Sequence, residues 1–570
     1  MNNRNYIKLI CIGLLLLITS SCDLDPVWYS QVTTDHYYTS KKSVYGVLGR
    51  PFGHWAWFCQ SDRFYLQEYT GDILCLPTRG SDWYNGGINQ RMHHHEWVYT
   101  DSYFWETWRG IGMGLAYAME SREDLADVDY VALGLTEDEK QNHTTQLRAL
   151  EGYYYMKGLD FFGGMPIYTT TKEDISVPRS TTKETFEYAE KLLKDAIPNL
   201  RKKEELGAAE DGYIKQAVAA SILAQLYFNA KATIGVDMFS ECAELCQDII
   251  DGVYGKYELE EDWFAPFSFD NNLSKEIIWS VPSEANKNEF NWWYKHFGHY
   301  QTWIYLDLEV TGNNGGCMQP SLKPNGQRYT DSDFGGSRLG RPFAKFHEKD
   351  LRKRPYLYKG NKKYEGMFLM GEQTNPITGK SSKGGREYKN EVISFVDQIT
   401  VMKQLGGEKY PTVDDLPSTI ADAEEVSGIR PWKIPQPNKA DVAIRYNPDN
   451  PIIRLAEIYY MLAECTMRAG DKKTAAMLIN KVRARNFENR IDPDPVTESN
   501  LDEYRMLDEW MIEFLAEGQG RRRTDLIRWD KFVTENWWDH TATKDKNRNI
   551  FPIPEKAISA NNLLEQNPGY

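Results

Sequence analysis

Residues 452–486 read IIRLAEIYYMLAECTMRAGDKKTAAMLINKVRARN, and their apolar positions recur at the three- and four-residue steps of an amphipathic helix. Leu455, Ile458, Tyr459 and Leu462 share one face, Gly470 ends that helix, Asp471 is placed to cap the next, and Ala475, Leu478, Ile479 and Val482 line the second. The pattern predicts an antiparallel helical hairpin. A similar hairpin spans residues 103–162, with Leu147, Leu150, Tyr154 and Phe161 on one face, and a third spans 186–227, where AVAASILAQLYFNA forms a tightly packing second helix. Such units cannot bury their apolar faces alone, so they stack as tetratricopeptide repeats do. Residues 255–450 break the pattern: they are rich in Gly, Pro and aromatic residues, with few long periodic segments and long connections. The predicted fold class is therefore mainly α, with stacked hairpins and an irregular, loop-rich half. No low-complexity linker separates them, so one body with interleaved halves is expected, an N-terminal part over about residues 22–230 and a C-terminal part over about 255–570.

The head of the chain follows a different rule. In MNNRNYIKLICIGLLLLITSSC, Arg4 and Lys8 precede an apolar run from Leu9 to Ile18 and the small residues Thr19, Ser20 and Ser21. This is an export signal over residues 1–21, because about ten apolar residues are too few for a bilayer that needs about twenty. Cys22 then resembles the lipid-modified first residue of a bacterial lipoprotein, although Thr19 stands where such signals usually carry Leu. Several acyl chains on Cys22 would give stable anchoring that a single chain does not.

Composition narrows the function classes. With 570 residues, 41% hydrophobic and 26% charged, the chain can bury a large core. A net charge of −15 repels nucleic-acid phosphates and disfavours strongly anionic polysaccharides. Aromatic residues reach 13%, with 17 Trp and 35 Tyr, each Tyr and Trp combining an apolar face with a polar handle. Outside the signal region the cysteines are sparse, without a CxxC pair, and Cys242 and Cys246 are expected to share a buried helical face. No cofactor motif is present.

Five blocks, in order, carry a family resemblance: CDLDP at residues 22–26, QLRALEGYYYMKGLDFFGGMPIY from Gln146, the hairpin at 455–485, LDEWMIEFLAEGQGRRRTDLIRWDKF from Leu507, and the closing NIFPIPEKAISANNLLEQNPGY. Together they resemble the SusD/RagB family of outer-membrane nutrient-binding lipoproteins across the mature chain. Most of these residues read as scaffold. Glu513, Glu517, Arg523, Asp525 and Arg528 are expected to form ion pairs and caps, and Phe551, Pro552 and Pro554 to fix an extended C-terminal segment. Gly518, Gln519, Gly520 and Arg521 depart slightly from the family pattern there. The resemblance implies a surface-facing lipoprotein that captures oligosaccharides, or in some members peptides, and passes them to a SusC-type TonB-dependent transporter. It also implies that the protein is not an enzyme. A helical glycoside hydrolase, which needs two carboxylates about 5–9.5 Å apart, is the enzyme alternative.

A sugar site needs aromatic faces beside planar polar groups. Residues 72–97 offer both: Asp72, Arg79 and Asp82 as polar partners, Trp83, Tyr84 and Trp97 as faces, and Gly80, Gly86 and Gly87 for turning. Pro77, Thr78, Arg79, Gly80, Asp82 and Trp83 match a stretch that lies near the ligand face in the family, though Arg79 and Asp82 suit loop-holding roles equally. The second cluster, NEFNWWYKHFGHYQTW at residues 288–303, contains Trp292, Trp293 and Tyr294, which suit ligand stacking or transporter contact equally. Asn313 and Asn314 in TGNNGGCMQPSL suit either hydroxyl recognition or a turn. His93, His94 and His95 are adjacent and so point in different directions, and His296 and His299 lack further ligands nearby, so no metal site is expected. One of the three consecutive histidines is expected to be a buried hydrogen-bonding residue.

Overall fold

The structure is a computed structural model that describes residues 37–172, 174, 176–209, 211–290, 293–309 and 312–570, with Trp293 and Tyr294 described by their backbone alone. Cys22 and Trp292 lie outside the described residues. Helix accounts for 44% and strand for 9%, so the chain is mainly α as predicted.

The elements that position the site are, in chain order, α1 (Lys41–Phe58), β1 (Leu74–Cys75), α2 (Ser102–Asp127), α3 (Glu137–Phe162), α4 (Thr182–Ala196), α5 (Gln216–Phe228), α6 (Phe239–Ile250), β2 (Ile277–Val281), α7 (Trp293–Phe297), β3 (Cys317–Met318), β4 (Asn450–Arg454), α8 (Leu455–Arg468), α9 (Lys472–Arg483) and α10 (Glu503–Phe514). Local chemistry sets their ends. Thr136 with Glu139 and Thr181 with Glu184 form capping boxes at the starts of α3 and α4. Asp471 accepts from the Thr474 amide at the start of α9, and Gly470 adopts φ +97°, the left-handed turn expected after α8. Helix α3 ends on a Gly pair because a Cβ on Gly164 would lie 1.9 Å from the Ser180 carbonyl oxygen.

Each helix packs on the next to make one array: α1 on α2, α2 on α3, α3 on α4, α4 on α5, α5 on α6, α6 on α8, and α8 on α9. Helix α5 is apolar on every side, and the array explains it. Flanked by α4, α6 and β2, it buries nearly all its side chains. Cys242 and Cys246 lie buried on α6, and Leu147, Leu150, Tyr154 and Phe161 are buried on α3. One local reading changes: Ile452 and Ile453 belong to β4, and helix α8 begins at Leu455.

The step from α6 to α8 crosses the irregular half. Strands β2 and β4 pair antiparallel, with Asn450 opposite Val281 and Arg454 opposite Ile277, so residues 282–449 leave and rejoin the array at one place. Beneath them lies a second apolar core in which Phe64, Leu74 and Leu76 from the N-terminal part meet Met511 and Leu515 from the C-terminal part. Where the two cores meet, Arg454 bonds Glu276 (2.6 Å), Glu513 (3.2 Å) and Glu517 (2.8 Å), while Arg352 holds Asp350 (2.8 Å) and Glu513 (2.9 Å). Arg523 pairs with Asp160 (2.9 Å), and Arg528 with both Glu464 (2.7 Å) and Asp525 (2.9 Å). The signature charges are thus scaffold. Phe551–Pro554 are extended, Glu555–Ala560 then form a short helix that the sequence reading missed, and the segment is strapped to α3, with the Phe551 amide donating to the Phe161 carbonyl (2.8 Å) and Asn567 to that of Phe162 (3.0 Å). Among the described residues no helix is long and apolar enough to cross a membrane.

Candidate ligand-binding surface

Strand β1 pairs with β3 and feeds the segment Pro77–Asp82. The amide and carbonyl of Arg79 exchange hydrogen bonds with those of Asp82, both at 3.0 Å, which closes a tight turn over Gly80 and Ser81. The Arg79 side chain runs inward and is 1% exposed. It donates to the carbonyls of Glu424 (3.1 Å), Asn314 (2.9 Å) and Ser427 (3.1 Å), so it ties this loop to two segments distant in sequence. Its expected role as a ligand partner is therefore corrected to holding the loop. Asp72 is likewise interior: its two oxygens accept from Arg522 (2.6 and 3.0 Å), and one also accepts from the Gly340 amide (2.7 Å). Burial alone would raise its carboxyl pKa, but Arg522 outweighs burial and holds it below the usual range. Trp97 is buried against Phe551 and donates to the Tyr570 hydroxyl (2.8 Å). These three side chains present no surface that a ligand can reach.

Four expected residues stay at the surface: Asp82, Trp83, Tyr84 and Asn313. Trp83 takes φ +65°, donates its indole N–H to the Asn313 carbonyl (2.9 Å), and meets the buried His296 ring edge-on at 6.1 Å. Gly315 leaves it room, since a Cβ there would lie 3.1 Å from the indole. Asn313 serves the neighbouring helix: its side-chain amide, with nitrogen facing inward, reaches the Lys295 and His296 carbonyls of α7. Tyr84 is 53% exposed. Trp293 and Tyr294 open α7, so the aromatic run is at least partly helical and not a strand.

The structure adds residues that the sequence had left unassigned. Arg386 lies over Gly80 and pairs with Asp82 at 2.6 Å, with half of the Asp82 side chain and 29% of Arg386 open to solvent. Gly80 takes the left-handed φ +59°, and a Cβ there would stand 2.1 Å from the Arg386 guanidinium and force that side chain to shift. The Glu425 carboxylate holds this arm by accepting from the amides of Gly385 (3.0 Å) and Arg386 (3.1 Å). The Tyr300 ring covers Gly385, and Tyr388 donates to Glu424 (2.6 Å). Trp303 follows Tyr300 by one helical turn and, at 42%, is the most open tryptophan among the described residues. The faint signal for Arg386 was SSKGGREYKN, a planar cation and a tyrosine on a glycine-rich loop. Segments 79–84, 293–303, 312–316 and 384–388 thus converge, bringing a half-buried indole and tyrosine rings beside a carboxylate–guanidinium pair. Such a surface can stack on an apolar ring face and hydrogen-bond hydroxyls at its edge.

The histidines take separate internal partners. His93 pairs with the Trp538 carbonyl (3.0 Å), His94 with Asp539 (3.2 Å) and His95 with the Thr70 carbonyl (2.7 Å). Burial pushes His93 down to about 4 and His95 down to about 3, so both are neutral. His95 fits the expected buried hydrogen-bonding histidine. Ligand atoms of His93, His94 and Asp539 nevertheless lie within 4.8 Å of one another, a proximity that adjacency in sequence did not suggest. One Asp539 oxygen is already shared by His94 and the Ile420 amide (2.7 Å). His296 and His299 diverge, the first toward Tyr65 and Tyr69 and the second toward Glu425 (3.6 Å).

Comparison with known proteins adds the family context. Residues 275–570 match the model described as the SusD family, and residues 58–228 match one described as starch-binding, associating with outer membrane. The starch-binding protein SusD of Bacteroides thetaiotaomicron is 25% identical over 448 residues, which cover 77% of this chain and 74% of that protein. A SusD superfamily protein of Parabacteroides distasonis superposes with TM-score 0.64 at 14% identity, covering 95% of this chain and all of that one. Surface glycan-binding protein A of Bacteroides thetaiotaomicron, solved with laminarihexaose, gives TM-score 0.61 at 15% identity, covering 93% of this chain and all of that one.

Proposed function

The chain belongs to the SusD family, and from that premise we propose that it is a glycan-binding lipoprotein of the outer membrane, capturing oligosaccharides at the surface around Trp83. One observation carries this reading: two regions far apart in sequence, residues 79–84 and 312–316, meet at Trp83 and Asn313 beside the open Asp82–Arg386 pair. Trp83 and Tyr84 supply the faces, joined by Tyr300 and Trp303, and Trp292, Trp293 and Tyr294 are carried as further ligand residues on the sequence alone. Asp82 and Arg386 are the hydroxyl partners. A starch-binding relative and a structural neighbour solved with laminarihexaose support a neutral glucan class of ligand. The protein binds without turnover and delivers its cargo to a SusC-type TonB-dependent transporter. Acylated Cys22 tethers it to the outer membrane with the binding surface facing outward.

A glycan array on the signal-less protein, followed by calorimetry on each hit, tests the proposal. Saturable oligosaccharide binding that Trp83→Ala weakens by about tenfold or more, without new reducing ends, is the expected result. Binding to peptides alone, or release of reducing ends that one Asp or Glu substitution abolishes, would overturn it.

A further inference from the structure

Six described cysteines are buried thiols, and two of them face each other across a strand pair. Cys75 on β1 and Cys317 on β3 are register partners, and their sulfurs stand 3.6 Å apart although the residues are 242 positions apart in sequence. Opposed residues of an antiparallel pair have Cα atoms about 4.5–5.5 Å apart. That spacing lies inside the window of about 4.4–6.8 Å that a disulfide spans, so closure needs rotation about side-chain bonds and no backbone shift. The surroundings leave Cys317 little other freedom: a Cβ on Gly428 would come within 2.4 Å of its sulfur, and Arg79 donates to the same atom from 3.4 Å. Cys242 and Cys246 differ, because they sit one turn apart on a single helix with sulfurs 4.0 Å apart and link no separate segments.

We propose that Cys75 and Cys317 form a disulfide in the exported protein, closed while β1 and β3 pair and before the core covers the sulfurs. Arg79, a few residues after Cys75, reaches Cys317 Sγ at 3.4 Å once β1 and β3 pair and favours the Cys317 thiolate there. The Cys317 thiolate attacks a disulfide of a protein thiol oxidant, forming a mixed disulfide and expelling one oxidant sulfur as its thiolate. Cys75 then attacks Cys317 Sγ, the new S–S bond forms, and the second oxidant thiol leaves with the proton of Cys75. Two electrons pass from the cysteine pair to the oxidant. The bridge sits at the root of both Pro77–Asp82 and the 312–316 segment, and it closes a long loop, the case in which a crosslink restricts the unfolded chain most.

The inference rests on the export part of the proposed function and is independent of what the protein binds. The test expresses the full chain with its signal, fractionates the cells, quenches in acid, and alkylates the denatured protein before and after reduction, with peptide mapping. Cys75 and Cys317 are expected to resist alkylation until reduced, while Cys59, Cys242, Cys246 and Cys465 alkylate at once. Reductant is expected to lower Tm by several degrees in the native sequence and to leave a Cys75→Ala, Cys317→Ala double variant unmoved. Free Cys75 and Cys317 in the exported fraction, or either one bridged to another cysteine, would sink the inference. Absence from that fraction would instead count against export.

Discussion

Trp83 holds a left-handed backbone conformation, which costs an L-residue about 1–2 kcal/mol and persists only where the surroundings enforce it. The Asn313 carbonyl on its indole and the Asn89 amide on its own carbonyl (2.9 Å) supply that enforcement, and the ring is left half open. Trp83→Ala is expected to weaken oligosaccharide binding by about tenfold or more, since losing about 1.4 kcal/mol of stacking raises Kd tenfold. Calorimetry checks this beside a thermal melt that should move little. Gly80→Ala acts on the same surface from below, displacing Arg386 from Asp82, and should cut affinity although the substituted residue itself has no side chain facing the ligand. Asp72→Asn gives the contrasting result. It strands the buried Arg522 and should cost about 3–5 kcal/mol in chemical denaturation while leaving affinity per folded molecule unchanged.

At the scale of elements, capping and glycine chemistry set the register of the helical array. Asp471→Ala removes the hydrogen bond to the Thr474 amide and should lower stability by about 1 kcal/mol, read from the denaturant midpoint. Gly164→Ala is expected to be far more damaging. Its Cβ would overlap the Ser180 backbone, which has no flexible end to move aside, so soluble yield should collapse. The array itself was readable from periodicity, as α2 with α3, α4 with α5 and α8 with α9 show. The contact of α6 with α8 was not, because its two members lie either side of residues 282–449 and no local pattern couples them.

Across the whole molecule a subset of the titratable groups is buried in the interior, and acid should destabilise it over two pH ranges. Burial lowers His93 to about 4 and His95 and His296 to about 3, from 6.5. The unfolded chain therefore binds protons that the fold refuses, and the stability present above pH 6.5 is lost progressively as pH falls toward those values. Glu464 is raised by burial but brought down to about 2 by Arg528, so its contribution is present above 4.5 and lost between 4.5 and 2. Tm measured against pH should decline below 6.5 and more steeply below 4.5. Glu464→Gln should start lower and flatten the second stage.

From the sequence alone came the hairpins, the Gly470 stop and Asp471 cap of one of them, the scaffold role of the Glu513–Arg528 charges, and the two aromatic regions, because periodicity and cap chemistry act over a few residues and mark which face a helix must bury. Tertiary structure decided which way each loop side chain points. Arg79, Asp72 and Trp97 turned inward because carbonyls, a guanidinium and a ring from segments up to hundreds of residues away met their hydrogen-bonding and packing needs. Arg386 became part of the surface because Gly80, about three hundred positions earlier, left space beneath it. A residue's type states what it can bond, and only the folded chain determines whether protein or solvent stands opposite it.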